Sequence, residues 1–312
     1  HRMLWVILLM ENSPYHIPVL LHVATDALIT KENGLYIDLT FGGGGHSKAI
    51  LNKIKDGQLI AFDQDEDAFR NDIDDARFTL VRQNFKYVQN VLLSRGIHKV
   101  DGILADLGVS SYQFDTPERG FSYRFNGKLD MRMNVNSSTT AFQVVNEYDE
   151  QNLVRILVSY GEFKRGEARK IFRKIDENRS IKSIKTTKDL QEILDPIFPS
   201  RFLNKNLSKI FQSIRIEVNE EMQALKELLN QLVNCLNPNG VAAFITYHSI
   251  EDRMVKNFFK SGNTDGELTK DFYGKILKPF ELVNKKPIVP SNVEINENPR
   301  ARSAKLRMAK RL

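Results

Sequence analysis

The chain has 312 residues, of which 41% are apolar, enough for one large domain or two smaller ones with a substantial core. A single cysteine, Cys235, excludes a disulfide framework and suits a reducing cytoplasm, and no apolar run approaches the roughly 18 residues of a membrane span. The net charge of +6 is distributed unevenly along the chain.

The first ten residues are predicted to lie outside the fold. Residues 1–10 contain a short apolar run, and the sequence from Met10 onward reads like a natural start. We therefore interpret residues 1–10 as a leader or an upstream remnant and expect the fold to begin at residue 11.

The first two predicted strands each end in a feature suited to a nucleoside ligand. Strand 35–40 runs into four consecutive glycines, which allow the backbone to approach a ligand closely. Strand 58–63 ends in Asp63, and a carboxylate at this point can hold ribose hydroxyls. The pattern predicts a nucleoside-cofactor site at the carboxyl edge of a parallel sheet. A glycine turn without a ligand is the competing interpretation.

The glycine pattern does not fit a dinucleotide. The fingerprint G-x-G-x-x-G requires a third glycine, where the two available registers place Ser47 or Lys48. An acidic residue before the turn, here Asp38, is typical of S-adenosylmethionine enzymes. Their ligand carries an amino-acid cation and no pyrophosphate, so a nearby carboxylate favours it. S-adenosylmethionine is therefore the predicted cofactor.

Strands alternate with helices from Leu35 onward, which predicts a parallel, doubly wound sheet. The other predicted elements of this part are strands 78–82 and 100–106 and helices near 45–54, 65–75 and 86–95.

The alternation stops after residue 106, where a loop-like stretch and then a helical stretch follow. It resumes with a helix near 219–236, a stop signal at 237–240, a strand at 241–247 and a helix at 250–260. The simplest account is a helical domain inserted at about 115–215. Residues 11–114 and 216–312 would then form one discontinuous sheet domain.

Positive charge is segregated into three clusters. Lysine and arginine concentrate at residues 164–188 (ten, against three acids), 201–215 (four, with no acid) and 300–312 (six, with no acid). Such clusters favour a polyanion partner, although any one of them could be a solvated helix face. Three together favour nucleic acid, and Arg300, Arg302 and Lys305 of the tail are expected to contact phosphates. No metal-ligand spacing is evident, so no metal is predicted.

Eight short strings occur in a fixed order: His16–Leu21, Asp38–Ser47, Asp101–Ser111, Glu118–Ser122, Leu129–Met133, Phe211–Asn219, His248–Arg253 and Glu297–Ser303. Together they resemble the MraW/RsmH family of bacterial 16S ribosomal RNA methyltransferases. The resemblance runs from about Tyr15 to Arg307. Gly43 and Tyr247 depart from it, since members commonly carry Arg and Phe at these positions.

The resemblance implies S-adenosylmethionine-dependent methylation of the exocyclic N(4) amine of one cytosine in the decoding region of the small-subunit RNA. It also implies a class I (Rossmann-like) methyltransferase sheet with an inserted all-helical domain, in agreement with the break after residue 106. The expected partner is 16S ribosomal RNA or the small ribosomal subunit in the cytoplasm, with no membrane role. Whether the protein forms a homodimer is left open by the resemblance.

The resemblance also implies a set of cofactor contacts. They fall on Gly44, Gly45, His46, Asp63, Phe85, Asp106 and Gln113. The two glycines and His46 would line the methionine end, whereas Asp63 would hold the ribose and Phe85 the adenine. A helix start, a helix cap and core packing are the competing roles for His46, Asp63 and Phe85.

The chemistry is expected to involve the loop that follows the fourth strand. A cytosine amine is a poor nucleophile, so the enzyme must align it and accept charge as it develops. We expect Asp106 and Ser110 to touch the amine. His248, at the end of the fifth strand, is a further candidate, with helix capping as its competing role.

Two other classes of function compete with a methyltransferase. A nicotinamide-dependent oxidoreductase is disfavoured by the missing third glycine. A non-catalytic RNA-binding assembly factor could retain a methyltransferase shell. The intact residues of the expected pocket argue against such an assembly factor. They are Asp38, Gly44, Asp63 and Asp106.

Overall fold

The computed structural model describes residues 18–274 and 276–312, so the predicted leader at 1–10 lies outside the described residues. Within them the strands are β1 (Leu35–Asp38), β2 (Gln58–Asp63), β3 (Phe78–Arg82), β4 (Val100–Asp106), β5 (Leu236–Thr246), β6 (Phe280–Leu282) and β7 (Lys305–Arg311). They form one sheet in the order β3-β2-β1-β4-β5-β7-β6.

The α-helices of the described residues fall into three groups along the chain. Those of the first part are α1 (Leu21–Leu28), α2 (Gly45–Leu51), α3 (Val88–Ser94) and α4 (Ser111–Asp115). Those of the middle part are α5 (Ala141–Glu147), α6 (Glu150–Ser159), α7 (Arg165–Arg179), α8 (Thr187–Leu194) and α9 (Ser200–Val218). The last are α10 (Glu221–Cys235), α11 (Ser249–Ser261) and α12 (Asn292–Glu297).

Strands β1 to β5 are mutually parallel, and β7 runs antiparallel between β5 and β6. The predicted doubly wound, Rossmann-like sheet is therefore confirmed. Because β1, β2 and β4 are parallel neighbours, their last residues meet at one edge. These residues are Asp38, Asp63 and Asp106. Ligands bind at this edge in open α/β sheets.

Both faces of the sheet are covered. Ile37 and Phe62 point to one side, where they join an apolar cluster with α3, α10 and α11. Tyr36 and Leu59 point to the other side and pack with α1 and α2. Cys235 is 1% exposed within the first cluster, so it is a packing residue of the core. Its burial raises the pKa of the thiol to about 11, which suits a core position.

The middle helices have an apolar cluster of their own, built from residues between Phe121 and Val218. The predicted boundaries at 115 and 215 stay a prediction, which this separate cluster supports. Tyr160 packs against both this cluster and that of the sheet. Along the parts of the chain that the structure describes, no helix is both long and apolar enough to cross a membrane.

Two predicted elements differ in the structure. The helix expected at 65–75 is a 3₁₀ helix, Glu66–Asn71, followed by Asp72, Asp74 and Asp75. Negative charge is unfavourable at the carboxyl end of a helix, which explains the early stop. Strand β5 begins at Leu236, because Leu236 already pairs with Val100 of β4. The predicted stop signal at 237–240 is a bulge between that pair and the next one, Gly102 with Val241.

Candidate active site

The glycine-rich loop is tied to the end of β2 through Asp63. Gly42 N–H donates to Asp63 Oδ2 at 2.8 Å, and Asp65 N–H donates to Oδ1 at 2.8 Å. Burial raises the pKa of Asp63 to about 6, against the effect of these two donors. A carboxylate oxygen has two lone pairs, so each oxygen can accept one further hydrogen bond, such as that of a ribose hydroxyl.

The loop itself needs glycine at particular positions. Gly42 and Gly44 have φ of 51° and 76°, in the left-handed region that favours glycine. A Cβ on Gly45 would lie 2.1 Å from Pro18 Cγ, so the preceding chain packs directly on the start of α2. Gly43 faces open space, with no heavy atom within 4 Å of a Cβ built there.

Asp38 lies fully buried beneath the loop. Its carboxylate accepts from Ser47 Oγ at 2.7 Å and from Thr40 N–H at 3.1 Å. Burial raises its pKa, although both donors oppose the shift. Asp38 therefore anchors the first turn of α2 to β1. The sequence placed this carboxylate near the ligand's cation, whereas the structure gives it a supporting position behind the loop.

His46 is also buried behind the loop. Its Nε2 lies 3.2 Å from the carbonyl oxygen of Val19, and its Nδ1 lies 3.8 Å from Asp106 Oδ2. Burial lowers the pKa of His46 despite the nearby carboxylate, so the ring is neutral at pH 7. With Nε2–H donating to Val19, Nδ1 carries a lone pair. A contact of His46 with the methionine end stays a prediction.

Asp106 stands at the centre of the site. Its N–H donates to Thr40 Oγ1 at 2.7 Å, and its Oδ1 accepts from the Tyr247 hydroxyl at 2.8 Å. Burial raises the pKa of Asp106 to about 6, and the hydrogen bond from Tyr247 opposes the shift. The hydroxyl of Tyr247 was not anticipated as part of the site. Its only signal in the sequence was the departure from the family's Phe at the end of β5.

Ser110 and Gln113 form the amino-terminal cap of α4. Ser110 Oγ accepts from Gln113 N–H at 3.2 Å, and Gln113 Oε1 accepts from Ser110 N–H at 3.0 Å. Gln113 Nε2 donates to Asp65 Oδ2 at 2.5 Å. Gln113 is thus fixed between the cap and the turn after β2. Its expected contact with the cofactor, and that of Ser110 with an amine, stay predictions.

Arg119 joins the same turn from the opposite side. Its guanidinium donates to Asp65 Oδ2 at 3.0 Å and to Asp67 Oδ2 at 2.8 Å. It also donates to the carbonyl oxygens of Arg132 and Met133, so it links the turn after β2 to the loop before α5. This role of Arg119 was not anticipated, since the residue was noted only within the string Glu118–Ser122.

A cleft of about 620 Å³ opens beside the ends of β2 and β3. It is lined on one side by Gln64 and Asn84, whose side chains are joined by a 2.8 Å hydrogen bond. On the other side stand Tyr148 and Arg155 of the middle helices. Phe85 follows Asn84 and packs, partly buried, against the sheet's cluster. The adenine contact of Phe85 stays a prediction, and the cleft adds Gln64 and Asn84 as candidates.

His248 caps α11. Its Nδ1 accepts from Glu251 N–H at 3.4 Å, and its Nε2 lies 2.9 Å from Glu251 Oε1 without forming a well-directed hydrogen bond. Burial opposes ionisation of Glu251, but His248 and Arg215 hold its pKa below the usual value. The structure places His248 in its competing role as a cap, and a catalytic role stays a prediction.

The basic clusters have different environments. In the tail, Arg300 pairs with Asp115, and Lys305 lies 3.5 Å from Asp252 Oδ2. Both therefore have carboxylate partners within the chain, which weakens the expectation that they contact phosphates. In the middle helices, by contrast, α7 presents exposed Lys170 and Arg173.

Comparison with known proteins gives one consistent result. A family model described as the MraW methylase family matches residues 13–312. A relative from Bacteroides fragilis, named Ribosomal RNA small subunit methyltransferase H, is 52% identical over 302 residues, which are 96% of this chain and 99% of the relative. A relative of the same name from Flavobacterium johnsoniae is 52% identical over 299 residues, 96% of this chain and 98% of that one.

Among solved structures, an rRNA methylase from Streptococcus thermophilus matches with a TM-score of 0.41 and 10% sequence identity. The match covers 95% of this chain and 98% of that one. A resemblance this distant carries no argument about individual residues.

Proposed function

The chain belongs to the MraW methylase family, and from this premise we propose that it methylates 16S ribosomal RNA of the small ribosomal subunit. The methyl donor is S-adenosylmethionine and the acceptor is the exocyclic N(4) amine of one cytosine in the decoding region. The observation that carries the proposal is the meeting of the glycine loop, Asp63 and Asp106 at one edge of the sheet.

The residues at this edge fit a nucleoside sulfonium ligand. Asp63 keeps lone pairs for the two ribose hydroxyls while Gly42 and Asp65 fix its orientation. The cleft beside Gln64 and Asn84 is of the size of a small-molecule site, and its amide groups can pair with a base edge. The raised pKa of Asp63 and of Asp106 marks both as candidate functional groups.

When bound, S-adenosylmethionine supplies an activated methyl group. The side chains of the protein must then orient the amine and stabilise the charge that develops on it. The amine nitrogen gains a carbon bond and loses a proton, so positive charge develops on it during transfer. Asp106 offers a fixed carboxylate at that point, because Thr40 holds its backbone and Tyr247 holds Oδ1. Such preorganised groups stabilise a transition state without having to reorganise.

Ser110 is the second group that we assign to the amine. It lies at the end of the short loop after β4, where its hydroxyl caps α4. The hydroxyl proton stays free to point elsewhere, since Oγ acts as an acceptor in the cap. The proton lost by the methylated amine needs no dedicated base, because the cation is acidic enough to release it to water.

Recognition of the RNA falls to the middle helices. Phosphate contacts position a nucleic acid but do not specify its sequence, and the exposed cations of α7 suit that task. A base inside structured RNA must be turned out to reach the cofactor.

The proposal is tested by transfer from radiolabelled S-adenosylmethionine to small ribosomal subunits that lack the modification, followed by nucleoside analysis. Label in N(4)-methylcytosine is the expected result, and fully modified subunits serve as the control. Cofactor binding without label would favour the assembly-factor interpretation. Absence of cofactor binding would refute the assignment of the glycine loop.

A further inference from the structure

We propose that Tyr247 is a positioning residue for the transfer: its hydroxyl holds Oδ1 of Asp106, which leaves Oδ2 to the incoming amine. The inference rests on the proposed function, in which Asp106 faces that amine. It adds a residue on β5's carboxyl end to a site otherwise built from β1, β2 and β4.

Tyr247 is fixed at three points. Its N–H donates to Glu251 Oε2 at 3.0 Å, which sets the backbone at the start of α11. Its ring lies beside the loop after β4, where a Cβ on Gly108 would be 3.6 Å from Tyr247 Cδ2. Its hydroxyl reaches Asp106 Oδ1 at 2.8 Å. A side chain held in this way can fix the carboxylate in turn.

The hydroxyl is the donor in this pair. Burial raises the pKa of Tyr247 well above its ordinary value, and the charge of Asp106 raises it further. The phenol therefore keeps its proton over the working range of an enzyme. A hydrogen bond donated to the charged form of a carboxylate favours that form.

The other oxygen of Asp106 is held less firmly. Oδ2 lies 3.8 Å from His46 Nδ1, which bears a lone pair because Nε2–H is directed at Val19. Across the described residues, Tyr247 is thus the one side chain that donates a hydrogen bond to the Asp106 carboxylate. Oδ2 retains its capacity to accept, and an amine N–H is a matching donor.

The groups around Asp106 determine how strongly its ionisation depends on this hydrogen bond. The titratable groups that face Asp106 or Tyr247 are His46 of α2, Asp38 of β1, Glu251 of α11 and Glu294 of α12. Burial, Asp38 and Glu251 disfavour a charge on Asp106, whereas the hydrogen bond from Tyr247 favours it. Removal of the hydroxyl therefore moves Asp106 toward its protonated form.

The test is Tyr247→Phe, assayed for kcat between about pH 5 and pH 9 with unmodified small subunits. We expect the acid limb of the kcat profile to move upward by about one pH unit, since one supporting hydrogen bond to the charge is lost. At the acid end this adds about a tenfold loss of kcat to the smaller loss that a less firmly held Asp106 causes at every pH, whereas the affinity for S-adenosylmethionine stays close to the wild type.

Tyr36→Phe is the matched control. This buried hydroxyl accepts from the N–H groups of Thr30 and Lys31 at the opposite end of the sheet. The control should lower the melting temperature and leave the acid limb in place. A Tyr247→Phe profile with an unshifted acid limb, whether the rate is unchanged or uniformly lower, would overturn the proposal. If the wild type transfers no methyl group, the proposed function itself fails, and the two failures are thereby distinguished.

Discussion

Arg307 of β7 donates from Nε and Nη2 to the two carboxylate oxygens of Asp252 on α11, at 2.6 and 3.1 Å. Both side chains are only 12% exposed. This pair joins the last strand of the sheet to the helix that follows β5. Part of the basic tail is therefore a structural element, which a count of charges along the sequence could not reveal.

Arg307→Ala is expected to destabilise the fold by about 3 kcal/mol, because it leaves the largely buried Asp252 carboxylate without its main partner. Burial opposes the charge on Asp252, but Arg307 and Lys305 hold its pKa below the usual value. The pair's contribution is thus full above about pH 4 and is lost as the pH falls further. Denaturant unfolding at several pH values measures both effects.

Arg300→Ala serves as the control for that experiment. Arg300 pairs with Asp115 at the surface, where each side chain is about half exposed. Exposed ion pairs contribute roughly 0–1 kcal/mol, so little change in unfolding is expected. Equal destabilisation by the two variants would contradict the assignment of Arg307 as the structural partner.

Asp63→Ala is predicted to weaken S-adenosylmethionine binding by about tenfold or more, through loss of the ribose contact and of the bond to Gly42. Because the pKa of Asp63 in the wild type is about 6, the affinity for S-adenosylmethionine should also depend on pH. Ribose hydroxyls bind the ionised carboxylate, so affinity should fall below pH 6 and be about tenfold weaker at pH 5. Titration calorimetry at pH 5 and pH 8 checks both effects.

Asp74→Ala is the matched control, since it removes an exposed carboxylate from the same acidic stretch. It should leave the affinity unchanged at both pH values. An Asp63→Ala protein that binds the cofactor like the wild type would show that the ribose is held elsewhere.

Asp106→Asn is expected to lower kcat by about a hundredfold and to change cofactor affinity much less. The amide retains the shape of the side chain but carries no charge to stabilise the developing cation. Single-turnover methyl transfer with saturating cofactor isolates this step. Asp101→Asn, at the other end of β4, is the control, because Asp101 pairs with Lys31 far from the sheet's carboxyl edge. It should cost stability but not turnover.

Strands β1, β2 and β4 could be predicted because each is a short apolar run that ends in an acid. Asp63 and Asp106 were placed correctly at the edge for this reason. The hydrogen bond from Tyr247 to Asp106 joins residues that are 141 positions apart in the sequence, so no local sequence pattern could predict it. The buried positions of His46 and Asp38 likewise depend on how Val19 and Ser47 pack over the loop.

Exposed cations on α7 give the last prediction. Lys170 and Arg173 lie on the outer face of that helix, so Lys170→Gln with Arg173→Gln should weaken binding to small ribosomal subunits. Each phosphate contact contributes about 0.7–0.9 to the slope of log affinity against log salt concentration, so the double variant should lower the slope by about 1.5. Lys256→Gln with Lys260→Gln removes the same charge from exposed positions on α11 and is the control. If both double variants lose affinity with the same change of slope, net charge alone attracts the RNA, and α7 forms no dedicated phosphate-binding surface.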